Sequence, residues 1–142
     1  MRQRRTMKLS IDHVGIRVND FERAKGFYKK YFGFEQFDSY DNSPPIGKEI
    51  HLRSGDVHLE LFLVDRSARE PELDMIGKKD RGLCHICLNV DNIEEIYNRM
   101  KVDGVTITAE LGKGTLDSGK WCKYFFFKDP EDMIIEVLEH CS

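Results

Sequence analysis

Four side chains of this sequence could together hold a divalent ion: His13, Glu60, His85 and Glu136. Each lies in an apolar run of the kind that makes strands, where successive side chains point to opposite faces. An ionised carboxylate in such a run is costly unless it is paired, hydrogen-bonded or bound to metal. Two imidazoles and two carboxylates suit one Zn²⁺, Ni²⁺, Co²⁺, Fe²⁺ or Mn²⁺, and an octahedral ion keeps positions open for water or substrate oxygens. The chemistry would be that of a Lewis acid. A lone strand histidine is more often a hydrogen-bonded structural residue, so the case for a site rests on how the four are spaced.

The spacing is that of a duplication. Leu9–Glu22 aligns with Arg81–Glu94, which puts His13 and His85 in register; Gly55–Leu63 aligns with Glu131–Glu139, which puts Glu60 and Glu136 in register. Parity places His13 with Gly15 and Arg17, and His85 with Cys87 and Asn89, opposite their fully apolar neighbours. Glu60 points with His58 and Phe62, and Glu136 with Ile134 and Leu138. All four candidates face away from the apolar side.

Each histidine run leads into a helix. After Asn19 or Asp20, Phe21, Ala24, Tyr28 and Tyr31 recur at helical spacing as far as Gly33, with Asn19 and Glu22 making a capping-box-like start; Ile93, Ile96, Tyr97 and Met100 do so between Asp91/Glu94 and Gly104. Further extended runs are expected at Phe34–Tyr40 and Lys48–Arg53, then at Val105–Glu110 and Trp121–Phe127. One domain over 1–142 therefore holds two β-α-β-β-β modules, 9–64 and 81–139. The charged linker 65–80 is expected to form a short helical turn after Glu70–Pro71 or a lid. Asp41–Gly47 and Gly112–Gly119 read as loops, and the first ten residues as a mobile basic arm.

Composition narrows the function. The chain has 142 residues, 40% of them hydrophobic, and a net charge of −3, so it lacks the basic excess that drives nucleic-acid binding. No run reaches the roughly 20 apolar residues of a membrane span, and no signal peptide is evident. A cytoplasmic protein acting on a small molecule, with no nucleic-acid or membrane partner, is expected. Cys84, Cys87, Cys122 and Cys141 are expected to be reduced and mostly packed.

Asp12-His13-Val14-Gly15-Ile16-Arg17-Val18, Phe27-Tyr28-Lys-Lys-Tyr31-Phe32-Gly33-Phe34 and Phe127-Lys-Asp129-Pro130-Glu-Asp-Met-Ile-Ile135-Glu136 occur in an order that resembles the vicinal oxygen chelate superfamily of glyoxalase, bleomycin resistance and extradiol dioxygenase proteins. The resemblance covers residues 9–139. It implies an α+β fold in which two paired modules form a curved, half-barrel mixed sheet, with one metal ligand from the first and last strand of each module. His13, Glu60, His85 and Glu136 stand at those places.

The quartet looks most like that of glyoxalase I. That likeness implies a homodimer and a lyase that converts a 2-oxoaldehyde–thiol hemithioacetal to a 2-hydroxyacyl thioester through an enediolate stabilised by the ion. Glutathione or another thiol would be cosubstrate, and Glu60 or Glu136 the base. Methylmalonyl-CoA epimerase-like chemistry is the alternative, although the paired histidines frequent at its third ligand are Cys84–His85 here. Extradiol cleavage fits less well, because it uses two histidines and a single carboxylate. Thiol transfer to an epoxide and metal-free drug binding are further activities of the family. Relatives build the site within one chain or across a dimer.

Other motifs are weaker. Cys84-His-Ile-Cys87 matches C-x-x-C, but residues three apart on a strand face opposite ways, although Cys87 could line a pocket. Gly114–Lys120 imitates the start of a phosphate-binding loop, yet Trp121 replaces the needed Ser or Thr and a strand follows. Arg17, on the face of His13, could bind a substrate carboxylate; His51, Arg53 and Lys123 are lesser candidates. The aromatic run Tyr124–Phe127 reads as core filling.

Overall fold

The structure, a computed structural model, describes residues 7–64, 71–115 and 119–141. Its elements run β1 (Val14–Val18), α1 (Phe21–Phe32), β2 (Glu35–Asp41), β3 (Lys48–Ser54), β4 (Val57–Leu63), β5 (Ile86–Asn89), α2 (Ile93–Asp103), β6 (Ile107–Thr115), β7 (Trp121–Lys128) and β8 (Ile134–Cys141). The expected β-α-β-β-β order appears twice. Two four-stranded mixed sheets form, β1-β4-β3-β2 and β5-β8-β7-β6, and neither closes on itself. In each, the first strand pairs in parallel with the last and the remaining neighbours are antiparallel.

The alternating pattern becomes burial. Ile16, Val18, Leu59 and Leu61 pack with Ala24, Tyr28, Phe34, Ile50 and Leu52; Leu88, Ile135 and Val137 pack with Ile93, Ile96, Met100, Phe125 and Phe127. Burying such side chains contributes roughly 1.5–3 kcal/mol each. Helix α1 joins the two cores: Tyr28 belongs to the first, Tyr31 to the second, and Phe27 and Phe32 pack against both. The aromatic run divides by role, with Phe125, Phe126 and Phe127 buried.

Both helices end as expected, at Gly33 and Gly104 in the left-handed conformation that glycine adopts without steric cost. The α1 helix starts after Asp20, one of the two expected places, but neither expected capping box forms. The α1 cap is Asp20, whose side chain accepts from Arg23 N, while Asn19 and Asp20 donate their backbone N–H to the carboxylate of Glu131 in the second module. For α2 the cap is Asn92, which makes no capping bond with its side chain; the Glu139 carboxylate of β8 takes the Ile93 N–H instead. Alongside the local Asp20 cap of α1, carboxylates brought by tertiary structure serve the helix starts where local boxes were expected.

Two other expectations change. The run Gly112–Thr115 belongs to β6, which shifts register against β7 before Gly112 and then pairs with it continuously to Thr115; residues 116–118 lie outside the described ones. Residues 71–80 contain no helical turn: Leu73 and Lys78 form an isolated bridge, and Asp74 accepts from Ile76 N and Gly77 N. The aspartate satisfies the turn's backbone donors, and Pro71 precedes a bridge rather than a helix. Most of the basic arm, residues 1–6, also lies outside the described residues.

Candidate metal centre

The duplication reappears as geometry. His13 immediately precedes β1 and His85 immediately precedes β5; two residues on, Gly15 is in register with Glu60, and Cys87 with Glu136. Parallel pairing therefore brings a histidine beside a glutamate in each module. His13 Nδ1 lies 3.0 Å from Glu60 Oε2, and His85 Nε2 lies 3.0 Å from Glu136 Oε2. The glutamates are largely covered and the histidines more open.

Each pair has its own surroundings. His85 Nδ1 donates to the carbonyl of Ile76 at 2.8 Å, so Nε2 is the atom presented to Glu136. A neutral ring in that tautomer sets a lone pair against a carboxylate oxygen, an arrangement that calls for a proton or a cation between them. The segment supplying the carbonyl is tied down by Thr108 Oγ1 donating to Met75 O at 2.7 Å. His13 Nδ1 also meets Asp12 Oδ2 at 2.8 Å, and this bond, aided by the Glu60 charge, raises the imidazole pKa. Burial pushes that of His58 down, which keeps its ring neutral and able to ligate.

The four candidates form two pairs rather than one cluster. Among the described residues, the groups of three or more metal-ligating side chains with donor atoms within 4.8 Å of one another are Asp12–His13–His58 and His51–His58–Glu60. Neither includes His85 or Glu136. The donor set of each pair, imidazole against carboxylate, fits a divalent transition ion.

The remaining candidates separate by environment. Arg17 lines a cleft of about 380 Å³ with Gly15, Pro45, Ile46, Phe62, Leu63 and Val64, on the sheet face that carries His13 and Glu60. Arg53 stacks on Phe37, Lys123 bonds Glu94 at 2.8 Å, and His51 lies 3.0 Å from Glu49. The cysteines are free, with Cys122 buried, Cys84 and Cys141 half-buried, and Cys87 exposed. Its sulfur faces Glu136, and desolvation with that carboxylate pushes the thiol to about 12, so it stays protonated. Trp121 begins a strand, which removes the phosphate-loop reading.

Sequence reasoning passed over one feature, the pairing of His51 and His58 beside Glu60. The signal was there: Glu49-x-His51 and His58-x-Glu60 each put two ligating groups on one strand face.

A twice-repeated β-α-β-β-β unit, presenting a histidine beside its first strand and a glutamate on its last, defines a class of duplicated α+β proteins with paired mixed sheets. The chain belongs to the Glyoxalase/Bleomycin resistance protein/Dioxygenase superfamily, whose sequence model matches residues 10–137. It is 26% identical over 145 residues to a lactoylglutathione lyase of Schizosaccharomyces pombe, covering 90% of this chain and 46% of the relative. It is 28% identical over 104 residues to the mitochondrial methylmalonyl-CoA epimerase of Bos taurus, covering 72% and 59%. The chain thus spans about half to three fifths of these relatives. A glyoxalase family protein of Enterococcus faecalis has a similar structure, with a TM-score of 0.70, 28% identity, and 92% and 97% of the two chains covered. Among the described residues no helix is long and apolar enough to cross a membrane.

Proposed function

We propose that this chain is a metal-dependent lyase or isomerase of the glyoxalase I kind, acting as a cytoplasmic homodimer. It would convert a 2-oxoaldehyde–thiol hemithioacetal to a 2-hydroxyacyl thioester. The observation that carries the reading is the His–Glu pair repeated at 3.0 Å and at the same register in both modules. His13, Glu60, His85 and Glu136 would hold one Zn, Ni, Co, Fe or Mn ion, whose part is to polarise the substrate oxygens. Because the pairs stand as separate halves, the first pair of one copy meets the second pair of another.

The chain's own residues do the rest. Glu136, beside His85 and Cys87, takes the carbon-bound proton and returns it to the adjacent carbon, while the thiol stays attached throughout. Glu60, flanked by His13, His51 and His58, is the more firmly held carboxylate and serves as a ligand. Ile76 keeps the His85 ring in one tautomer. Arg17, in a cleft with Pro45, Ile46 and Phe62, takes a carboxylate of glutathione or another thiol cosubstrate.

Epimerisation of an acyl thioester uses the same proton removal and return, and the likeness to the bovine epimerase supports it as the second reading. The test is metal content together with proton exchange at the substrate carbon, using the methylglyoxal–glutathione hemithioacetal and methylmalonyl-CoA in parallel. One ion per site, exchange with the hemithioacetal, and a loss of about 10²–10⁴-fold in Glu136→Gln are expected. Exchange with the CoA ester alone selects the epimerase. Failure to take up any ion overturns both and leaves a ligand-binding protein.

A further inference from the structure

The antiparallel pair β3–β4 sets His51 directly opposite Glu60, and His58 lies two residues before Glu60 on the same face. All three side chains are about seven-eighths covered, at 12%, 13% and 12% exposure for His51, His58 and Glu60. His51 Nε2 lies 3.0 Å from Glu49 Oε2, and Asn42 Nδ2 donates to Glu49 Oε1 at 2.8 Å. With its Nε2 proton given to Glu49, His51 turns its Nδ1 lone pair toward His58 Nε2, 3.3 Å away. Carboxylate, histidine and open lone pair in line is the arrangement that orients imidazoles on metals.

The spacing suits an ion. Bonds of about 2.0–2.2 Å in a tetrahedral site put ligand atoms about 3.3–3.6 Å apart. Here His58 Nε2 is 3.3 Å from His51 Nδ1 and 3.8 Å from Glu60 Oε2, and one donor atom from each of the three side chains lies within 4.8 Å of the others. Without an ion, the His51–His58 contact is one N–H···N bond; an ion takes the place of the shared proton. Phe37 lies against both rings and Tyr40 against His51, forming an aromatic wall.

We propose that His51 Nδ1, His58 Nε2 and Glu60 form a second divalent transition-metal site, contained within the first module, with Glu49 as the carboxylate that orients His51. Two imidazoles and a carboxylate favour zinc or cobalt, and an open fourth position takes water. The site shares Glu60 with the proposed quartet but needs nothing from the second module or from another copy. It has no counterpart there, because Phe126, opposite Glu136 on β7, and Ile134, two residues before Glu136 on β8, occupy the places of His51 and His58.

The test separates the two sites. In His85→Ala/Glu136→Gln, which disables the quartet, equilibrium dialysis against Zn²⁺ is expected to find one ion per chain, and Co²⁺ to give a visible ligand-field spectrum. Adding His58→Gln or His51→Gln is expected to abolish both signals while the circular dichroism stays native. Glu49→Gln is expected to weaken Zn²⁺ binding by about 10–100-fold without changing the stoichiometry. No ion in the double variant overturns this site and leaves the quartet standing if the wild-type chain still binds one. Binding that survives His51→Gln but falls with Asp12→Asn overturns the assignment in favour of Asp12–His13–His58.

Discussion

Replacing Tyr28 by Phe should destabilise the protein by an amount that depends on pH. Tyr28 is fully buried on α1, and its hydroxyl donates to Asp129 Oδ2 at 2.6 Å, across the junction of the two modules. The other oxygen, Asp129 Oδ1, accepts the backbone N–H of Glu131 at 2.8 Å and of Met133 at 2.9 Å. Burial raises the Asp129 pKa above 3.8, while the Tyr28 and backbone bonds pull it down. A carboxyl raised on folding contributes stability that is fully present below its unfolded pKa and is lost as pH rises through its folded pKa. Deleting the hydroxyl removes one of the bonds favouring the ionised form and raises the folded pKa further, so the wild-type advantage widens as Asp129 ionises. A hydrogen bond to a charged group contributes about 1.5–3 kcal/mol, and one between neutral groups about 0.5–1.5 kcal/mol. Urea unfolding should therefore show a loss of about 2 kcal/mol near neutrality, a midpoint about 1 M lower for an m of about 2 kcal/mol/M, shrinking to about 1 kcal/mol near pH 3. A difference that is flat from about pH 3 to pH 8 refutes the reasoning, because the partner would not then be an ionising carboxylate.

Gly77→Ala should loosen the second half-site, because Gly77 has φ 145° and an added Cβ collides with the Cys84 carbonyl. The expected cost is about 1–3 kcal/mol in urea unfolding, with weaker metal uptake as the Ile76 carbonyl shifts from His85. Arg17→Met should lower kcat/KM by about 10–100-fold, chiefly through KM, for a thiol cosubstrate that carries a carboxylate, and by less for one that lacks it. Mixing His13→Ala/Glu60→Gln chains with His85→Ala/Glu136→Gln chains should restore proton exchange to about a quarter of wild type in a fully exchanged mixture. That figure holds if each ion spans two copies, since half the dimers are hybrids with one intact site of two. No recovery after verified subunit exchange would place both pairs of one ion in a single chain.

Most of the fold was legible because the duplication repeats short-range signals. Alternation at Val14–Val18 and Val57–Leu63 requires a sheet with one buried face, and Gly33 and Gly104 mark helix ends through a conformation that is cheap only for glycine. What was not legible depends on residues distant in sequence. Nothing near Asn19 announces that Glu131 will receive its N–H, and nothing near Asn92 points to Glu139. Gly112 and Gly114 resemble loop residues until β7 is placed beside them; Gly114 then lies against the Tyr124 ring, where a Cβ would sit 3.1 Å from its edge.

The candidate site follows the same division. Each His–Glu pair is a local consequence of a first strand running parallel to a last one, and parity alone places its members on a common face. Bringing the pairs together is a different matter, because it depends on how whole modules meet, and the bonds made there among the described residues include those from Tyr28, Asn19 and Arg23 to Asp129 and Glu131 and from Tyr31 to Asp103. Those contacts lie on the helix side of the first sheet, opposite the face that carries His13 and Glu60. A chain held together on that side leaves its ligand-bearing faces available to another copy. The residues that stabilise one protomer and those that would complete a site between two are therefore separate sets, and the Tyr28 and subunit-mixing experiments act on them independently.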